Sequence, residues 1–351
     1  MRIFYGIMPK LCCFAAVATL ILGPSHALSQ SNQKVIAMVG ARSGASWPLW
    51  LSKDGGYYRK HGLNVELVYA VHPAPMAAVI SGQAAMTSTG ADLGLLAAFR
   101  DTSLTLNSSF LNKGSFAMIG AKNLTRMEQL AGKKIGIGRV GDPPYHMSVA
   151  LLEKFGVSDR SVEWVSIGAD AAARALALQA GHVDAALVTA PSYFRLEAGG
   201  FPVLASIADH EDIYVSTYHL FRKDSVANNP KIAEGFIKAH AEAIKRFYDD
   251  KVFAVQVMLK YGGARDPQDG GRVYDLFSKS RSFEPIPFIL KDSVKATIGR
   301  QAAAQPEIKQ FDFSKVIDNG IVHRLVKEGF FQRVFGPAVK ELEQQRRAQA
   351  F

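Results

Sequence analysis

Past residue 27 the chain has no cysteine; Cys12 and Cys13 are the two it contains. Disulfides, thiolate metal sites and a cysteine nucleophile are therefore excluded from the rest of the chain. The histidines, among them His61, His182, His210, His219, His240 and His323, show no HxxH or HExxH spacing, so neither a metal nor a cofactor is expected. There is no GxSxG elbow and no grouping of Ser, His and Asp that marks a nucleophile, so nothing in the sequence asks for catalysis. Basic residues outnumber acidic ones, 41 to 31, but form no block interleaved with aromatics. Such diffuse charge favours solubility and attraction of anionic solutes, and argues against nucleic acid as a partner.

What is present begins with a segment suited to export. Arg2 and Lys10 precede or open an apolar run from Leu11 to Gly23, followed by Pro24-Ser25-His26-Ala27. A basic start, a short apolar run and small residues before a cut after Ala27 read as a signal peptide, residues 1–27, removed on passage to the periplasm. The run is too short for a permanent membrane helix. Removing its two basic residues takes the formal charge from +10 to +8. About 320 residues remain, enough for two domains with covered cores, and the 48% apolar content is that of a globular chain.

One pattern occurs twice. Lys60-His-Gly62-Leu63-Asn-Val65-Glu66-Leu-Val68 leads through an alanine-rich stretch to Ser81-Gly82 and Met86-Thr87-Ser88-Thr89; Lys154-Phe-Gly156-Val157 leads through Val162-Glu163-Trp-Val165 to Ala180-Gly181 and Val188-Thr189. Each copy reads helix end, glycine turn, strand, alanine-rich helix, glycine turn, strand, then a polar residue at the strand's carboxyl edge. Two α/β lobes imply a cleft, and the polar residues ending each copy should face each other across it.

Lobe one is expected to hold residues 28–117, with strands at Lys34–Gly40, Asn64–Tyr69, Ala85–Ser88 and Leu104–Ser109, and to be rejoined by residues 216–351. Lobe two, residues 118–215, is expected to hold strands at Lys134–Gly138, Val162–Ser166 and Ala185–Val188. Phe116–Ala121 reads as the strand leaving lobe one and Tyr214–Phe221 as the strand returning, so the crossings near Ser115 and Ser216 would form a hinge. From Pro230 a helix carries Ile232, Phe236, Ala243, Ile244 and Phe247 on one face. Further helices at Lys291–Gln301 and His323–Arg347 would cover lobe one, with the charged 341–347 end fraying in solvent.

Trp47-Pro-Leu-Trp-Leu-Ser-Lys-Asp-Gly-Gly56-Tyr57-Tyr58, continuing through Gly62-Leu63-Asn-Val65-Glu66, resembles the opening of periplasmic solute-binding proteins of ABC importers, in the nitrate, sulfonate and taurine group. The likeness runs on through Leu130-Ala-Gly132-Lys133-Lys134, Gln179-Ala-Gly181-His-Val183-Asp184, and Pro191 with Gly199-Gly200-Phe201, and covers roughly residues 35–230. It implies a two-lobed periplasmic-binding-protein-like α/β fold of type II. It also implies that the lobes close on a small molecule and deliver it to a membrane permease, with a monomer as the simplest assembly.

The loop Arg42-Ser43-Gly44-Ala45-Ser46-Trp47 precedes a helix, so its amides and the Ser46 hydroxyl could hold an anionic group, or Ser46 could merely cap the helix while Trp47 packs in the core. Ser88-Thr89-Gly90 occupies the same topological place, and Thr189-Ala190-Pro191 mirrors it in lobe two; Tyr214 opens the returning strand. Gly136-Ile-Gly138-Arg139-Val-Gly141 matches the dinucleotide fingerprint only formally, because the first glycine lies within a strand and prolines follow at once. Relatives that bind sulfonate or nitrate resemble one another in small hydroxyl and glycine residues at this loop. Here Pro143 and Pro144 remove amide donors and Asp142 adds negative charge. Arg139, Tyr145 and His146 offer instead a bidentate cation, a ring and an imidazole, suited to an organic, carboxylated and aromatic ligand, although Arg139 could serve to neutralise Asp142.

Two other readings use the same cleft. Two-lobed enzymes related to thiamine-pyrimidine synthases or to dehydratases of the menaquinone route share the resemblance, and an exported sensor partner would present solute to a membrane receptor. An exported chain without cysteines favours solute binding over chemistry.

Overall fold

The computed structural model describes residue 1 and residues 34–168, 170–210, 213 and 216–351. Residues 2–27 of the proposed signal peptide, and Tyr214, lie outside the described residues. Ten strands form two five-stranded sheets. The first contains β1 (Lys34–Val39), β2 (Asn64–Tyr69), β3 (Met86–Gly90) and β4 (Leu104–Leu111). The second contains β5 (Phe116–Gly120), β6 (Lys134–Ile137), β7 (Glu163–Ser166), β8 (Ala185–Thr189) and β9 (Val203–Ser206). β10 (Thr217–Arg222) returns to the first sheet.

The strand orders are β2-β1-β3-β10-β4 and β7-β6-β8-β5-β9. In each, three parallel strands are followed by an antiparallel one that arrives from the other sheet: β10 pairs antiparallel with β3, and β5 with β8. The chain therefore passes between sheets twice, after β4 and before β10, as expected of a two-lobed binding-protein fold with a strand hinge. The two passages are tied together. Ser216 donates its hydroxyl to Asn112 Oδ1 at 2.7 Å and lies 2.6 Å from the Ser293 hydroxyl, while Asn112 Nδ2 donates to Glu284 at 3.3 Å.

The parallel strands are linked by helices because each strand must return to the same edge of its sheet. Helix Ala74–Ile80 fills the alanine-rich stretch that leads to Ser81, and helices Ala91–Arg100 and Ser192–Ala198 follow β3 and β8. Glycine turns at Gly62, Gly82, Gly156 and Gly181 all have φ between 69° and 77°, the left-handed conformation that a side chain disfavours.

Three features differ from the sequence reading. The edge strand β9 and the helices Lys251–Tyr261 and Pro267–Lys279 were not foreseen. The stretch expected as one helix over 323–347 is three, Gly320–Lys327, Phe330–Phe335 and Val339–Gln349, broken where Gly329 and Gly336 adopt φ of 67° and 86°. The charged end does not fray. Arg346 pairs with Glu284 at 2.9 Å, Glu343 is buried, and Phe351 donates its amide to Ile289 at 2.9 Å. Among the described residues no helix is long and apolar enough to cross a membrane.

Candidate functional site

A cavity of about 520 Å³ lies between the carboxyl edges of the parallel strands of both sheets. The first sheet contributes the loop after β1, the end of β2 with its following turn, and the end of β3. The second contributes the loops after β6 and β7 and the end of β8.

In the loop after β1, Ser43 and Ser46 line the cavity. Ser46 does not cap its helix; its hydroxyl donates to Ala41 O at 2.7 Å and closes the loop on itself. The Arg42 guanidinium lies 4.3 Å over the Tyr69 ring at the end of β2. His72, in the turn after β2, lies so close to Gly40 that a Cβ there would stand 2.7 Å from its Nε2. Burial holds the His72 imidazole below its usual pKa, and the positive charge of Arg139 from the other sheet adds to that.

At β3, Ser88 and Gly90 line the cavity and Thr89 does not. Successive strand residues point to opposite faces, so only every second residue reaches the cleft surface. Thr89 is 2% exposed, and its methyl would stand 3.2 Å from a Cβ at Gly94 on the following helix. Gly90 meets the opposite wall, where a Cβ would lie 3.3 Å from Pro143.

The loop after β6 is organised by Asp142. Its carboxylate accepts from the Arg139 amide at 3.0 Å and from the Tyr145 amide at 2.9 Å, capping the helix Pro143–Lys154. These are the amides that would otherwise face an anion at this helix end. Burial raises the Asp142 pKa, while these bonds and nearby Arg174 oppose the rise. Asp142 thus engages the backbone of Arg139; among the described residues no carboxylate forms an ion pair with the Arg139 or Arg42 side chain. The glycines of the formal fingerprint have structural duties. A Cβ on Gly136 would meet Val183 at 3.3 Å, and Gly141 takes φ of 85°.

Several expected contacts are placed elsewhere. Trp47 is fully buried below the first loop, donating Nε1–H to Ala254 O at 3.0 Å among Phe247, Phe277 and Phe283. Tyr145 packs edge-on to Trp164 of β7 at 4.9 Å between ring centres. His146 is buried, its Nε2 without a hydrogen-bond partner among the described residues. Pro191 follows the cis Ala190–Pro191 bond and immediately precedes the helix Ser192–Ala198, off the lining; Thr189, at the end of β8, does line the cavity.

The lining also includes residues the sequence reading passed over: Tyr69, His72, Asp92, Arg174 and Phe277. Asp92 is held by Arg300 through bonds of 3.1 and 3.2 Å. Arg174, 1% exposed, donates Nε–H to Leu187 O at 2.8 Å and Nη1–H to Gly168 O at 3.0 Å; burial lowers its pKa to about 10, opposed by Asp142 and Asp170. A lone arginine within Ala171-Ala-Ala-Arg174-Ala-Leu was the available signal. Among the described residues no group of His, Cys, Asp and Glu gathers as a metal set.

Chemically, this is a concave site with apolar surface, hydroxyls and arginines from both sheets, and its carboxylates are engaged by protein groups. Solved structures with the same architecture include the periplasmic sulfonate-binding protein SsuA of Methylobacillus flagellatus KT, at 18% identity and TM-score 0.67 over 86% of this chain and 96% of that one. The periplasmic nitrate-binding protein NrtA of Synechocystis PCC 6803 aligns at 13% identity and TM-score 0.70 over 84% and 88%. The desulfurization enzyme DSZB aligns at 14% identity and TM-score 0.65 over 84% and 99%. No curated protein matches the sequence significantly. The family model described as NMT1/THI5 like matches residues 45–251, more than half of the chain and most of both cleft walls, and the protein belongs to that family.

Proposed function

We propose that the protein is the extracytoplasmic solute-binding component of an ABC-type importer. Its lobes, residues 28–117 with 216–351 and residues 118–215, close on one small organic anion, carboxylate- or sulfonate-like, for which an aromatic body is admissible, and present it to a membrane permease. It works in the periplasm as a monomer, without catalysis. The observation that carries this reading is the pair Arg42 and Arg139, which line one cavity from opposite sheets with no carboxylate pairing either side chain among the described residues. An anion that touches both walls binds the closed form better than the open one, and only that difference in affinity can drive closure. Ser43, Ser46, Ser88, Gly90 and Thr189 are the proposed neutral contacts. The names of the sulfonate- and nitrate-binding neighbours support the same class of ligand.

Asp142 makes an inorganic anion on the second wall a poor fit, because its carboxylate already occupies the amides at the helix start. A thermal-shift screen of organic acids, sulfonates, aromatic carboxylates and pyrimidines tests the reading, since a ligand selective for the native state must raise its melting point. Stabilisation by acids or sulfonates is expected; stabilisation confined to uncharged or cationic solutes would refute the anion.

A second reading has one observation behind it, the desulfurization enzyme on the same fold. A mature N-terminus near Leu28 in a periplasmic fraction, with the bound solute recovered unchanged, supports binding. Conversion of that solute would establish an enzyme.

A further inference from the structure

We infer that the cleft takes an amphipathic monoanion in a single orientation, its acidic head at the β1/β2/β6 side and its apolar body directed towards the strand crossings. This inference rests on the binding-protein reading above and specifies its ligand. The strand orders place β2 and β1 of the first sheet, and β7 and β6 of the second, farthest from the crossing strands β10, β4, β5 and β9. The two ends of the cavity therefore have distinct chemistry, each set by a different group of strand ends.

At the far side, Arg42 follows β1, His72 follows β2 and Arg139 follows β6. The carboxylates there are turned to main-chain amides: Asp142 to Arg139 and Tyr145, and Asp170 to Ala172 at 2.9 Å. Positive charge is left to face the ligand. At the crossing side the lining among the described residues is Leu111, Gly114, Ser115, Phe116, Ser216 and Thr217, none of them charged. The Ser216 hydroxyl is held between Asn112 and Ser293. A second carboxylate placed there would lose water and, among these described lining residues, meet hydroxyls but no cation, a desolvation that ordinary hydroxyl contacts do not offset. Between the ends, Asp92 is occupied by Arg300. The volume fits the same assignment: about 520 Å³ suits an organic molecule of cofactor or drug size and would leave an inorganic anion surrounded by water.

Isothermal titration of the full mature chain with benzoate, 4-phenylbutyrate and 4-(4-carboxyphenyl)butyrate tests the orientation. Affinity should rise from benzoate to 4-phenylbutyrate, and the diacid should bind at least about tenfold more weakly than 4-phenylbutyrate. Arg139→Gln should weaken both monoacids by a similar factor, about tenfold, whereas Phe116→Ser should weaken the longer acid more than the shorter. The three-ligand comparison stands on the unaltered protein if a variant fails to fold. A diacid that binds as well as 4-phenylbutyrate, or the absence of binding by all three, would overturn the inference. If a neutral or cationic solute binds in their place, a binding protein remains and the amphipathic monoanion does not; if no solute from a broad set binds, both readings fall.

Discussion

The loop after β1 and the loop after β6 stand at equivalent places in the two sheets, yet one rests on an aromatic cluster and the other is closed by a carboxylate beside a buried guanidinium. Under the first, Trp47 fills the space beneath residues 41–46, and Phe277 packs so tightly that a Cβ on Gly44 would stand 2.3 Å from its ring. In the second wall, Asp142 binds the amides of its own loop, and Arg174 ties Leu187 O in β8 to Gly168 O after β7. A repeated strand order thus fixes where the loops stand. What holds them, and what they offer a ligand, is set independently in each half.

The two kinds of anchor should fail differently. Trp47→Ala removes the centre of an apolar cluster and should cost about 3–5 kcal/mol of unfolding free energy, measured by denaturant titration. Arg174→Met keeps most of the volume but leaves two carbonyls without these donors, and should cost about 2–3 kcal/mol. Equal and small losses at both positions would erase the proposed contrast.

Acid offers a second way to separate the halves. His219 on β10 and His240 on the helix Pro230–Asp249 are fully buried in the first half, their ring centres 4.7 Å apart. His219 lies 2.9 Å from the Ser108 hydroxyl, and His240 lies 2.8 Å from that of Tyr58. Burial lowers the His219 pKa to about 3 and holds His240 well below its usual value, where proximity to His219 adds to the effect. The unfolded chain protonates these rings near pH 6.5, so their contribution is complete above about 6.5 and declines as pH falls below it, for His219 down to about 3. Within that window His219 should make stability fall by about 1.4 kcal/mol per pH unit, and His240 should add to the fall. Denaturant midpoints at pH 7, 5.5 and 4.5 should show the slope, and His219→Asn should reduce it; an unchanged slope would contradict the assignment.

The smallest effect expected is at the contact between the halves. Gly90→Ala places a methyl 3.3 Å from Pro143, so it should weaken ligand binding a few-fold by opposing closure while leaving the denaturant midpoint nearly unchanged. A shifted midpoint with unchanged affinity would assign Gly90 to folding instead.

Much of the scaffold was legible because it depends on short-range patterns. The glycine turns at Gly62 and Gly156 and the alternation of 64–69 lead directly to strands β2 and β7. β9 was missed because Val203–Ser206 is a short edge strand without a clear alternating pattern, and the helix 267–279 begins with Pro-Gln-Asp-Gly-Gly, which reads as a loop. The site was legible to the level of the strand ends. Ser88, Gly90, Arg139 and Thr189 line the cavity, whereas Thr89 was displaced by the strand's alternation and Trp47 by its burial. Tyr69 and His72 were within reach of the strand-end rule. Phe277 was not, because it enters the cavity wall from a helix about 230 residues farther along the chain than the Gly44 it packs against, and local pattern carries no information about such a meeting.

The proposed closure of two hinged walls on one anion would compact the molecule, which small-angle X-ray scattering of the mature chain measures, with and without a saturating acid identified by the thermal screen. A smaller radius of gyration is expected on binding, with the change abolished by combining Arg42→Gln and Arg139→Gln; a tightly bound acid that leaves the scattering profile unchanged would contradict it.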